Sequence, residues 1–153
     1  LLASEVNHDI TLSGMYRWIY LSATYQYVKD AIVGVVDSYS TDSPISLMTY
    51  VNYNHISKYS ALLSLSPRIS KWSPRLILNY LGQDFNITAM WHKQRMNNPV
   101  LFFNYLNSVN LGKGWSVNGD VMGHTSGDMD VVYLKPSWQI NIGMVKNIGN
   151  WFF

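Results

Sequence analysis

Four short polar turns, each closed by a tryptophan, set the rhythm of this chain: Tyr16-Arg17-Trp18, Ser70-Lys71-Trp72, Lys113-Gly114-Trp115 and Gly149-Asn150-Trp151. After each of the first three, apolar and polar residues alternate with a period of two, and the fourth opens another such segment. Alternation at that period describes a strand with one apolar and one polar face. The indole is amphipathic and prefers the headgroup level of a bilayer. A tryptophan opening each strand after a turn is therefore what an aromatic girdle at a membrane surface looks like.

Composition points the same way. Charged residues make up 13% of the chain, against roughly 25% in an ordinary soluble domain. Aromatics reach 14%, with 11 Tyr and 6 Trp. A spanning helix is excluded, because no run approaches the roughly 18 apolar residues it needs; the longest obvious one is Ala31 to Val36. The absence of cysteine leaves no disulfide framework or thiolate metal site to argue. A net charge of +2 without a dense Lys/Arg cluster gives no footprint for nucleic acid. Leu1-Leu2-Ala3 is followed by Glu5, His8 and Asp9, which interrupt any signal-peptide-like region. Residues 1–153 read as one β segment, an excerpt of a longer chain.

The strands can be followed in order. Val6, His8, Ile10 and Leu12 oppose Asn7, Asp9 and Thr11; then Ile19, Leu21, Ala23, Tyr25 and Tyr27 oppose Ser22, Thr24 and Gln26. Lys29-Asp30 interrupts that apolar face after about the 9–11 residues a tilted strand needs to cross a bilayer, and the strand continues to Tyr39. Ser40 to Pro44 predicts a turn, and Ile45 to Ser66 a long return bent at Asn52-Tyr53-Asn54. After Trp72, the parity of Leu76, Leu78 and Tyr80 changes to that of Phe85, Ile87 and Ala89. That change predicts a β-bulge at Gly82-Gln83. His92 to Pro99 predicts a loop, Val100 to Leu111 a strand, Trp115 onward another, Ser126-Gly127-Asp128 a turn, and Val131 to Lys146 a last full strand.

The expected fold is all-β, an antiparallel up-and-down meander of seven long strands and the start of an eighth, with no helices of note. Unpaired backbone groups each cost several kcal/mol in hydrocarbon, so such a sheet must belong to a closed barrel, of which these strands are an arc. Its polar face, Ser22, Thr24, Gln26, Ser64, Arg75, Asn79, Asn118, Asp120, Gln139 and Asn141, suits a wet lumen. The turns form two sets. Trp18, Trp72, Trp115 and Trp151 with Arg17, Lys71 and Lys113 mark one rim; Asp42, Asp128 and Asp130 mark the other. Tyr39, Asp42, Trp91, His92, Asp128 and Asp130 are the candidate contacts for a solute, since aromatic faces and carboxylates bind sugars or cationic groups. A second girdle with solvated loops is the alternative for these six. For the whole chain the alternatives are a small closed barrel with a structural or adhesin role and a soluble β-sandwich binding module.

Leu21 to Ile32, the Tyr50-Val51-Asn52 step before a long strand, and Val132 to Lys146 resemble the C-terminal barrel of TonB-dependent receptors of the bacterial outer membrane. The closest type is the outer-membrane β-barrel family often preceded by a carboxypeptidase-regulatory-like domain. The resemblance implies a barrel of about 22 strands filled by a plug and importing siderophores, cofactors, peptides or glycans with energy from TonB. It implies short periplasmic turns marked by Trp, and extracellular turns bearing Asp. Plug and TonB enter only through a full-length parent; the partners of this chain itself would be membrane lipid and lipopolysaccharide.

No enzyme signature stands beside these. His8, His55, His92 and His124 are scattered without metal-ligand spacing, and neither G-x-S-x-G nor a nucleotide-binding loop occurs. His124 with Asp128 and Asp130 is the one combination with a conceivable role in holding a cation. No catalysis, metal or cofactor is expected.

Overall fold

In a computed structural model, which describes residues 2–39, 46–89, 92–149 and 151–152, the chain is all β and contains no helix among those residues. Eleven strands form: β1 (Val6–Tyr16), β2 (Ile19–Tyr39), β3 (Ser46–Leu65), β4 (Trp72–Ala89), β5 (His92–Met96), β6 (Val100–Gly112), β7 (Trp115–His124), β8 (Gly127–Met129), β9 (Val132–Leu134), β10 (Ser137–Ile148) and β11 (Trp151–Phe152). Nine make one antiparallel sheet in the order β1-β2-β3-β4-β6-β7-β10-β11, with β5 paired to β4; β8 and β9 form a separate hairpin. The long strands thus follow sequence order, as the meander expectation requires. The sheet is an open arc, with β1 at one edge and β10 with the short β11 at the other.

Local chemistry explains the short turns. Two residues separate Tyr16 from Ile19 and Gly112 from Trp115, and the first loop residue is left-handed in each, Arg17 at φ 54 and Lys113 at φ 52. Gly114, at φ 78, completes the pair of positive φ angles that suits a turn between right-twisted strands. Each turn is also tied sideways to the next strand: Ser66 N donates to Trp18 O at 2.9 Å, Asn110 N to Lys71 O at 2.8 Å, and Asn147 N to Gly114 O at 2.8 Å. The result is a continuous rim.

The register fixes two faces. One row runs Leu21, Leu63, Leu78, Phe103, Gly123 and Trp138 through paired positions, and the next runs Ile19, Leu65, Leu76, Tyr105, Val121 and Ile140. This face has nothing packed over it: Ile10 is 74% exposed, Leu12 76%, Trp138 68% and Ile142 82%. A sandwich would bury these side chains against a second sheet, and only five apolar side chains are buried among the described residues: Val28, Ala31, Ile56, Met96 and Val100. They lie on the long-loop side of the apolar band, where Val33, Tyr53 and Val131 pack on the cluster of Val28, Ala31, Ile56 and Met96. Trp72 begins the band and Tyr59, Tyr25 and Tyr80 end it. The ten residue-to-residue steps from Trp72 to Gly82, at about 3.4 Å each and a tilt of about 40°, span about 26 Å along the barrel axis.

Four expectations are corrected. No bulge occurs at Gly82-Gln83: β3 and β4 stay in one register from Leu65↔Leu76 to Ser57↔Asp84, and β4 runs on to pair with β5. Glycine stands at 82 because the Tyr59 ring lies over it, in the space a Cβ would take. The register shifts lie elsewhere, between Val36 and Ser38 in β2 and between Asn110 and Gly112 in β6; Asp30 is left-handed at φ 52 and unpaired between Lys29↔His55 and Ala31↔Tyr53, with the register unchanged across it. Asn52 to Asn54, where a bend is expected, lies within the single strand Ser46–Leu65, and Asn52 Nδ2 donates to Asp30 O at 2.7 Å. The segment 92–99 is not all loop, since His92–Met96 is β5. Likewise Gly127–Met129 is strand and not turn, and Val131 to Lys146 is divided: Val132–Leu134 pairs with β8, and only from Ser137 does the chain join the main sheet.

Candidate functional site

All ten residues expected to face the lumen share the face opposite the apolar rows. Ser22, Leu62, Asn79, Phe102, His124 and Ser137 make one row; Ser64, Ile77, Asn104, Met122 and Gln139 the next; Arg75, Leu106, Asp120 and Asn141 another. Thr24 and Gln26 continue it on β2 and Asn118 on β7. Neighbours on this face satisfy one another: Thr11 and Thr24 hydroxyls meet at 3.0 Å, and Asn141 Nδ2 donates to Asp120 Oδ2 at 2.8 Å. Asn104 Oδ1 is buried and accepts no hydrogen bond. It lines a cavity of about 420 Å³ with Asn79, Phe102, Met122, His124 and Gln139.

The β8–β9 hairpin folds against this face. Its entry is pinned by Thr125, whose N–H donates to Leu101 O at 3.0 Å and whose Oγ1 accepts from Leu101 N at 2.9 Å. Asp128, 4% exposed, accepts from Asn98 N and Asn98 Nδ2, both at 2.8 Å, while its own N–H donates to Asn98 O at 2.7 Å. A Cβ on Gly127 would collide with Pro99 O and Val100, so only glycine lets the hairpin lie this close. At the tip, Gln83 Nε2 donates to Asp130 O at 2.7 Å and Gln83 Oε1 accepts from Asp130 N at 2.8 Å. Lys58, paired with Gln83 across β3 and β4, completes the clasp with a 2.7 Å ion pair to the Asp130 carboxylate. Beneath the hairpin lies a cavity of about 300 Å³ lined by Asp9, Thr24, Gln26, Ser60, Leu81 and Met129 among others.

The six solute-contact candidates separate. Asp128 is turned into the protein and spent on Asn98, because the segment expected to be an outer turn folds inward. Asp130 is engaged by Lys58 yet borders the cavity. Asp42 and Trp91 lie outside the described residues, and Tyr39 and His92 are placed by backbone alone, ending β2 and beginning β5. Trp151 opens β11. His124 does not converge with the two aspartates: it packs on Phe102 with ring centroids 5.3 Å apart. No group of three or more potential ligands gathers among the described residues. Lys58 and Asn98 carry no signal in the sequence, and Gln83 stands out there only as part of the expected bulge; each is an ordinary polar residue until the register brings it under the hairpin.

At the short-turn rim Trp18, Trp72 and Trp115 are 44%, 38% and 41% exposed. Trp72 Nε1 donates to Asn107 Oδ1, the Arg17 guanidinium lies 5.3 Å from the Tyr16 ring centre, and Lys146 Nζ lies 5.0 Å from that of Trp115. Residues 1–150, nearly the whole chain, match the model of the outer membrane protein beta-barrel family. The chain belongs to that family. This outer-membrane β-barrel protein accordingly presents its bare apolar face to lipid, which removes the need for a second sheet. No curated protein and no solved structure gives a significant match.

Proposed function

We propose that this chain is part of the wall of a TonB-dependent outer-membrane receptor that takes up a nutrient such as a siderophore, a cofactor or a glycan. The observation that carries the reading is the inner face, bearing rows of polar residues, with a hairpin clasped against it by Lys58 and Gln83. A barrel whose only task was structural would have no use for a narrowed, polar interior. In the receptor the short Trp-marked turns face the periplasm and the β4–β5 and β8–β9 hairpins the exterior. Plug and TonB act through the full-length protein, and lipopolysaccharide and phospholipid surround the wall. The chain contributes surface for binding and passage and no catalysis.

The test is uptake in the native host. Cells lacking the full-length protein and cells lacking TonB are compared for uptake of a ferric siderophore, cobalamin and an oligosaccharide panel. The receptor reading predicts one compound whose uptake is lost in both strains. Uptake lost in the first strain but normal in the second, or no loss with any compound, would contradict it.

A further inference from the structure

The cations of this chain are divided by the sheet. Arg17, Arg68, Lys71, Arg75, Lys113 and Lys146, six of the eleven Lys and Arg, stand on or beside the short-turn rim. The acids stand elsewhere: Glu5, Asp9, Asp30, Asp84, Asp128 and Asp130 lie toward the other end, and Asp120, bound by Asn141, lies on the concave face. Both ion pairs among the described residues, Lys58 with Asp130 and Arg95 with Asp84, also lie toward the long-loop end. None of the six rim cations has a carboxylate partner among the described residues.

Two of them are aimed. The ring of Tyr16, whose residue pairs with Ile19, and that of Trp115, two residues from Val117, belong to the lipid-facing rows. Arg17 and Lys146 lie over those rings at 5.3 and 5.0 Å. Each charge is therefore held on the lipid side where the apolar band ends, and not in the lumen. The sideways hydrogen bonds fix the turns bearing Arg17, Lys71 and Lys113 relative to one another. Successive turns are two strands apart, so the charges recur about every 10 Å around the wall. That level and side of a bilayer hold the phosphate groups of lipids.

We infer that the Arg17, Lys71, Lys113 and Lys146 belt binds anionic phospholipid headgroups in the leaflet flanking the short-turn rim. The Tyr16 and Trp115 rings hold the Arg17 guanidinium and the Lys146 ammonium, and the donors left after the Lys146 Nζ bond to Lys113 O, with those of Lys71 and Lys113, take the headgroup phosphates. Charge without neighbouring acid makes the attraction selective for lipids bearing net negative charge over zwitterionic ones. The inference rests on the wall reading alone and is independent of transport.

The full-length protein, reconstituted in phosphatidylcholine vesicles, is probed by electron paramagnetic resonance with spin-labelled phosphatidylglycerol or spin-labelled phosphatidylcholine. The motionally restricted fraction of each label reads its relative association with the wall. At low salt, phosphatidylglycerol should be favoured at least about threefold. The preference should fall toward one in the Arg17→Gln, Lys71→Gln, Lys113→Gln, Lys146→Gln variant and remain with Lys29→Gln, Lys135→Gln. Should the fourfold variant fail to fold, 1 M NaCl on the unaltered protein serves in its place, since screening at about 3 Å removes the preference of an exposed belt. Equal restriction of the two labels, or a preference indifferent to both variant and salt, would overturn the inference. No restricted component with either lipid would contradict the wall reading instead, and the belt with it.

Discussion

Leu63 and Ser64 are adjacent, yet the pairings Leu21↔Leu63↔Leu78 and Tyr20↔Ser64↔Ile77 put them on opposite faces. In hydrocarbon an arginine at mid-depth costs about 2–4 kcal/mol, while the lumen is wet. Leu63→Arg should therefore lower unfolding free energy in vesicles by that amount and impair assembly. Ser64→Arg should be tolerated, as read by urea titration and by the heat-modifiable band on gels; equal effects would contradict the face assignment. Asp128 makes a different kind of claim, because its carboxylate is buried and joined to two Asn98 donors. Asp128→Ala leaves those donors with no acceptor and should cost the hairpin about 1–3 kcal/mol, read as faster amide exchange across 125–134.

At the scale of elements, the β4–β5 and β8–β9 hairpins respond to different perturbations. Arg95 grips Asp84 with Nε at 3.0 Å and Nη2 at 2.7 Å, beyond the tyrosines that close the apolar band. The Arg95 hydrogen bonds hold the Asp84 carboxyl below its ordinary range. The sign follows: the contribution is present above the ordinary carboxylate pKa and is lost as pH falls through the lowered one. Amides of the Asn86↔Arg95 region should lose protection on acidification, and Asp84→Asn should remove that pH dependence. In the second hairpin, Gly127→Val should push the strand off Pro99 and Val100 and break the Lys58 and Gln83 clasp. Exchange across 127–134 would rise to that of an exposed loop, with the main sheet unchanged.

The elements also show what was legible beforehand. Turn and Trp punctuation with period-two alternation located β1, β2, β3, β4, β6, β7 and β10, because each is one strand with one lipid face. The β8–β9 hairpin was hidden because Val132 to Leu134 continues the alternation of β10, and only contacts with Asn98, Lys58 and Gln83 separate them. The bulge was misplaced for a physical reason. Beyond the apolar band the strand's surroundings change, so its apolar positions change parity with no residue inserted. The register shifts that do occur, between Val36 and Ser38 and between Asn110 and Gly112, fall where the alternation of apolar residues gives no such signal. Of the candidate site, the common face of the ten polar positions followed from parity, whereas Asp128 was misjudged because burial depends on which way a loop folds.

For the whole molecule the central claim is that one sheet separates two solvents. Large apolar side chains stand bare on one face and polar ones, interspersed with Leu62, Ile77, Phe102, Leu106 and Met122, line the other, with no second layer among the described residues to cover the first. The absence of cysteine makes β10 a clean ruler, since single cysteines introduced at 137 to 144 carry the only labels in the segment. Spin labels there, in vesicles, report collisions with oxygen, which concentrates in lipid, and with a water-soluble nickel chelate. Positions 138, 140, 142 and 144 should favour oxygen and 137, 139 and 141 nickel, alternating residue by residue. Equal nickel access at every position, or a period other than two, would contradict the account.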